Sequence, residues 1–153
     1  MKRLFCLLLV FPMLLCILPT KGHASNEEPT LKETHYLKDG SYMIVTTHFM
    51  ETRAASTKVA SRACEYYNSN DIKQWKLTLT AKFTYNGIVA NCTSASCYVT
   101  IYDSAWTEKS SYATYSSNYA RATTTMAHKY LGVTTQEINR SVTLTCTPDG
   151  NIY

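Results

Sequence analysis

Apolar and polar residues alternate without a break from Trp75 to Tyr85. Trp75, Leu77, Leu79, Ala81, Phe83 and Tyr85 fall on one side, and Lys76, Thr78, Thr80, Lys82 and Thr84 on the other. A period of two over such a length predicts a strand with one face in a core. The same period runs weakly or strongly through residues 41–49, 57–67, 97–103, 105–116, 119–130 and 133–147. Ile138, Val142, Leu144 and Cys146 share a phase in the last of these, and Ala120, Ala122, Met126 and Tyr130 in the one before it. Asn86-Gly87 and Leu131-Gly132 mark hairpin-type turns, and the run Asn68 to Asp71 marks another. No helical period is present. The pattern predicts an all-β domain over residues 41–153, a single seven-stranded antiparallel β-sandwich of immunoglobulin-like topology. Residues 25–40 are polar and end in Asp39-Gly40, which predicts a flexible leader.

The first 24 residues read differently. Lys2 and Arg3 precede an apolar run from Leu4 to Leu18, and Gly22-His23-Ala24 carries small residues at its first and third places. That is the pattern of a secretory signal peptide cleaved after Ala24. The run is shorter than the roughly 20 residues a bilayer span needs. A secreted, extracellular product with no stable membrane anchor in its mature form is therefore expected. Processing also changes the charge. Losing Lys2, Arg3 and Lys21 takes the formal +4 of the whole chain to +1. A near-neutral chain offers no basic stripe for nucleic acid. All 12 tyrosines lie beyond residue 24, in a segment rich in Ser and Thr, as half-exposed strands favour.

Four cysteines survive processing: Cys64, Cys92, Cys97 and Cys146. An even count in an exported chain predicts disulfides, with three possible pairings. The preferred pairs are Cys92–Cys146 and Cys64–Cys97. The first closes a loop of about 55 residues, worth about 4 kcal/mol in the chain-entropy view. Thr143-Leu144-Thr145-Cys146 approaches the Thr-Leu-x-Thr-Cys signature of sortases, but one residue is missing and no arginine follows. A nucleophilic thiolate also needs a base, and His128 is the histidine in phase with buried positions. A staple is the expectation for Cys146, and no catalytic residue is assigned.

Other chemistry is sparse. Asp71, Asp103 and Asp149 sit in or beside turns, where aspartate caps local backbone. No acidic series resembles a calcium loop, so neither metal nor cofactor is expected. Asn91-Cys92-Thr93 and Asn139-Arg140-Ser141 fit the glycosylation sequon. The tyrosines are the most suggestive feature. Tyr112, Tyr115 and Tyr119 gather around a Ser/Asn turn, and exposed aromatics give contact area at small entropic cost. They are the candidate ligand-binding residues.

Several longer strings are specific in combination: "YLKDGSYMIVTT", "FTYNGIVANCTSASCYVTIYDSAW" and "YLGVTTQEINRSVTLTCTPDGN". With these, residues 35 to 152 resemble a family of small secreted Firmicutes proteins of unknown function. The resemblance implies a compact all-β secreted domain with Cys92 and Cys146 at the family's cysteine positions. Cys64 and "SSNYARA" depart from that pattern, and no activity comes with it. The functional expectation is a non-enzymatic extracellular module that binds a cell-surface or host glycan or protein. The alternative is a secreted bacteriocin-like toxin or inhibitor acting on another cell.

Overall fold

A computed structural model describes residues 31–50 and 56–153, so the expected signal peptide and residues 25–30 lie outside the described residues. Eight strands follow in order: β1 (Leu31–Tyr36), β2 (Tyr42–Met50), β3 (Thr57–Tyr67), β4 (Lys73–Tyr85), β5 (Ala90–Ile101), β6 (Trp106–Ser116), β7 (Tyr119–Tyr130) and β8 (Val133–Thr145). They make two antiparallel sheets, one of five strands in the order β1-β2-β3-β4-β5 and one of three in the order β6-β7-β8. The all-β, two-sheet expectation holds.

Two details of it are corrected. The strand count is eight, because β1 occupies residues 31–36 of the segment expected as a leader. All six of its residues are exposed, so Leu-Lys-Glu-Thr-His-Tyr shows no apolar alternation. Asp39-Gly40 is then a hairpin turn rather than the end of a tail. Gly40 adopts a φ of 81°, and Asp39 Oδ1 accepts the Ser41 amide at 3.1 Å. The immunoglobulin-like order is also replaced. Every strand pairs only with its neighbours in sequence, so each sheet is a meander with no crossover.

The core lies between β4 and the smaller sheet. Trp75, Leu77, Leu79, Ala81 and Phe83 are fully buried, as their alternation predicts. Opposite them are Ala120, Ala122 and Met126 of β7 and Val142 and Leu144 of β8. A bulge in β5 completes this surface. Lys82 pairs with Ser94 and Phe83 with Cys92, leaving Thr93 unpaired. The extra residue restores the inward phase, so that Cys92 and Cys97, five apart, both face the core.

One end of the core is aromatic. Tyr66 lies 5.3 Å from Trp75 and 5.4 Å from Trp106 between ring centres. Buried Gln74 organises this end. Its Oε1 accepts Trp106 Nε1–H at 3.1 Å, and its carbonyl accepts the amides of Tyr102 and Asp103. The 102–105 corner that links the two sheets is thereby fixed to β4. At the other end the C-terminal segment folds back. Gly87 donates to Pro148 O at 2.9 Å, and Lys58 Nζ to Gly150 O at 2.8 Å. Gly150 has φ 81°, and a Cβ there would stand 2.5 Å from the Tyr85 ring.

The four cysteines among the described residues are free thiols here, three of them buried and Cys97 half-buried. The expected Cys64–Cys97 bridge is corrected. Cys64 pairs with Leu77 on one side of β4, and Cys97 with Leu79 on the other. Two strand spacings, about 9.6 Å, separate them. A disulfide tolerates less than about 7 Å between Cα atoms.

Two stability tests follow. Gln74→Leu leaves the Trp106 indole N–H buried without an acceptor, and urea unfolding should show a loss of about 1–3 kcal/mol. Gly150→Ala meets both a left-handed backbone and the Tyr85 ring. It should lower the urea midpoint by a comparable amount, with the slope unchanged.

Candidate functional site

The outer face of the three-stranded sheet is a polar trough. The period of two sets which side chains line it. Tyr112 and Thr114 come from β6, Tyr119, Arg121 and Thr123 from β7, and Asn139, Ser141 and Thr143 from β8. Strand register arranges them in rows. Tyr112, Thr123 and Ser141 form one row; Thr114, Arg121 and Thr143 form the next; Tyr119 closes the third beside Ser116 and Thr145. The space above them is about 670 Å³. The two tyrosines stand about 13 Å apart along the strands, at four residues of rise.

The face combines apolar rings with a field of hydroxyls. Tyr112 is 55% and Tyr119 42% exposed, so each presents a large part of its surface to solvent. Thr123 Oγ1 and Ser141 Oγ share a hydrogen bond of 2.9 Å, and Asn139 Nδ2 donates to Thr125 Oγ1 at 3.1 Å. These bonds orient the polar groups along the floor. Arg121 sits at the centre, and among the described residues no carboxylate pairs with it. Its five N–H donors are available in a planar fork.

The structure divides the three candidate tyrosines. Tyr112 and Tyr119 share the trough, whereas Tyr115 is in the phase of Ala113 and pairs with Ala120, on the core-facing side of β6. It reaches solvent near the end of the strand, 51% exposed. Tyr112 and Tyr115 are three residues apart, and an odd separation in a strand puts side chains on opposite faces. Sequence reading missed Arg121. The available signal was its phase, two residues from Tyr119 and two from Thr123.

The cysteines form no catalytic dyad with His128. His128 pairs with Gln136, ten residues before Cys146, so the two lie about 33 Å apart along β8. The His128 ring meets Trp106 at 5.2 Å and Thr135 Oγ1 at 2.9 Å. Burial raises the pKa of Cys146 above the ordinary thiol value, with Lys58 opposing. Burial also raises that of Cys92, and the nearby Cys146 adds to the effect. Both are protonated near neutral pH and are poor nucleophiles as they stand.

Cys92 and Cys146 are nevertheless brought together. The Cys92 amide donates to Ser117 O at 2.5 Å and the Cys146 amide to Asn118 O at 2.8 Å. Two consecutive carbonyls of the β6–β7 turn thus hold one cysteine from each sheet. Asn118 Nδ2 adds a bond of 3.0 Å to Cys146 O. Among the described residues no group of three or more His, Cys, Asp and Glu side chains gathers in metal-binding proximity. Comparison of the chain with protein families, with curated proteins and with solved structures finds no match.

Proposed function

We propose that this chain is a secreted, non-enzymatic binding module whose outer β6-β7-β8 face takes an extracellular glycan. The observation that carries the reading is the pairing of two exposed tyrosine rings with an unpaired arginine on one hydroxyl-rich trough. A sugar ring has an apolar face that packs on an aromatic ring and a rim of hydroxyls that need directional partners. Tyr112 and Tyr119 supply the first, and Thr114, Thr123, Asn139 and Thr143 the second. Arg121 between them suits a sugar that carries a carboxylate or sulfate, which a guanidinium grips with two parallel hydrogen bonds. A trough about 13 Å between rings has room for a short oligosaccharide rather than a single ring.

Secretion is part of the proposal. It rests on the apolar run Leu4–Leu18 ahead of Ala24, and on the juxtaposed Cys92 and Cys146. In an oxidising compartment these two thiols lose two protons and two electrons to a disulfide-carrying oxidant and form one S–S bond. That bond ties the start of β5 to the end of β8 across the sandwich, where the free thiols stand in this structure. Cys64 and Cys97, on either side of β4, stay reduced.

Two measurements test the reading. On an array of neutral, carboxylated and sulfated oligosaccharides, the protein should bind acidic glycans. Tyr112→Ala and Arg121→Ala should each weaken that binding about ten-fold or more, while Tyr115→Ala leaves it near the parent value. Binding to no glycan, or equal binding by all three variants, sinks the proposal. Separately, alkylation of the secreted protein in denaturant before reduction should label Cys64 and Cys97 alone, and after reduction all four of these cysteines. Four labels without reduction would remove the staple.

A further inference from the structure

The five-stranded sheet is wider than the three-stranded one, and among the described residues this leaves part of its inner face without a facing strand. β3 is tied to β8 by Arg62, whose Nη1 donates to Thr143 O at 2.7 Å. β1 and β2 extend beyond that tie. Between them and β8 lies a cavity of about 250 Å³. Leu37, Met43, Val45 and Cys64 form its apolar side, Arg140 carries its charge, and His35 and Ser141 complete the lining. Burial pushes the Cys64 thiol up to about 11, with the Arg140 guanidinium opposing, so the thiol is neutral and belongs to the apolar wall.

Arg140 is poorly matched in this setting. It shares the inward phase of Ile138 and Val142 and is half-buried. Its Nε donates to the Met43 thioether sulfur at 2.9 Å and its Nη1 to Asn139 O at 3.1 Å. A thioether is a weak acceptor and carries no charge. The carboxylate on this face is Glu33, and it is already engaged. It lies 3.6 Å from His35 Nε2 and 3.7 Å from Arg62 Nη2. Arg62 takes the one carboxylate of this face, and among the described residues no carboxylate pairs with Arg140. A guanidinium that meets no carboxylate keeps its planar fork of donors for an anion. An anion that also brings an apolar group suits the guanidinium and the apolar wall at once.

We propose that this cleft binds a small carboxylate with a short apolar chain. The carboxylate meets the outer edge of Arg140, and the chain lies along Leu37, Met43 and Val45. The volume limits the ligand. It equals about eight waters at their share of liquid volume, which fits a chain of about six carbons. The site is on the core side of β8, behind the glycan trough; Ser141 borders both, and Leu37, Met43, Val45 and Arg140 line the cleft alone.

Hexanoate is the probe, followed by methyl-region NMR of the full secreted protein. Hexanoate should shift the methyl signals of Leu37, Met43 and Val45 in a saturable way. Acetate, which lacks the chain, and hexanol, which lacks the charge, should each bind about ten-fold more weakly or worse. Arg140→Met should weaken hexanoate binding by about ten-fold or more. Arg140→Lys keeps the charge without the fork and should lie between the two. Tyr112→Ala, on the outer face of β6, should bind hexanoate normally even if glycan binding is lost. No shift of those methyls at millimolar hexanoate overturns the proposal. So does unchanged affinity in a folded Arg140→Met or Arg140→Lys variant, or equal binding of hexanol.

Discussion

The contact between the inner face of β4 and the small residues of β7 governs how the rest of the chain is arranged. Trp75, Leu77, Leu79 and Phe83 are large, and Ala120 and Ala122 opposite them are small. Large side chains from one sheet fill the space that small ones leave on the other, as close-packed interiors require. This matching lets a three-stranded sheet cover the middle of a five-stranded one. The aromatic end, with Tyr66, Trp75 and Trp106, sets the spacing there, and Gln74 holds the connecting corner in place. Replacing either alanine by a larger side chain would strain the packing there by about 1–3 kcal/mol.

How much of this could be read from the sequence follows from what a period of two can carry. It located β4 to within two residues, because burial on one face and exposure on the other leave an unbroken signature. It missed β1, whose six exposed residues leave no signature at all, and the Ala90–Ser96 part of β5, where small polar residues surround a bulge. Strand order was not legible, since alternation is the same in a meander and a Greek key. Cysteine parity suggested two bridges. Only the register around β4 separates Cys64 from Cys97.

The candidate site shows the same division. Clustering in sequence drew attention to Tyr112, Tyr115 and Tyr119, yet proximity along a strand says nothing until phase is applied. Phase separates Tyr115 from the others and brings in Arg121, Asn139 and Thr143. Asn139 and Thr143 come from β8 and required the β7–β8 register to be seen beside β6 residues. The unmatched charge of Arg140 was beyond sequence reading, because Glu33 and Arg62 reach that face from strands more than 75 positions away.

Because every strand pairs with its neighbour in sequence, the chain falls into two contiguous blocks. Residues 31–101 hold all the pairings of one sheet, and residues 106–145 all those of the other. A cut in the 102–105 corner would sever no ladder. What joins the blocks is the apolar seam, the Ser117 carbonyl on the Cys92 amide, the Trp106–Gln74 bond, the bonds of Gly87 and Lys58 to Pro148 and Gly150, and the Arg62 tie. The molecule is in this sense an intramolecular complex of two complementary sheets, and the corner, itself bonded to Gln74 of β4, acts as a short fixed tether that raises their effective concentration.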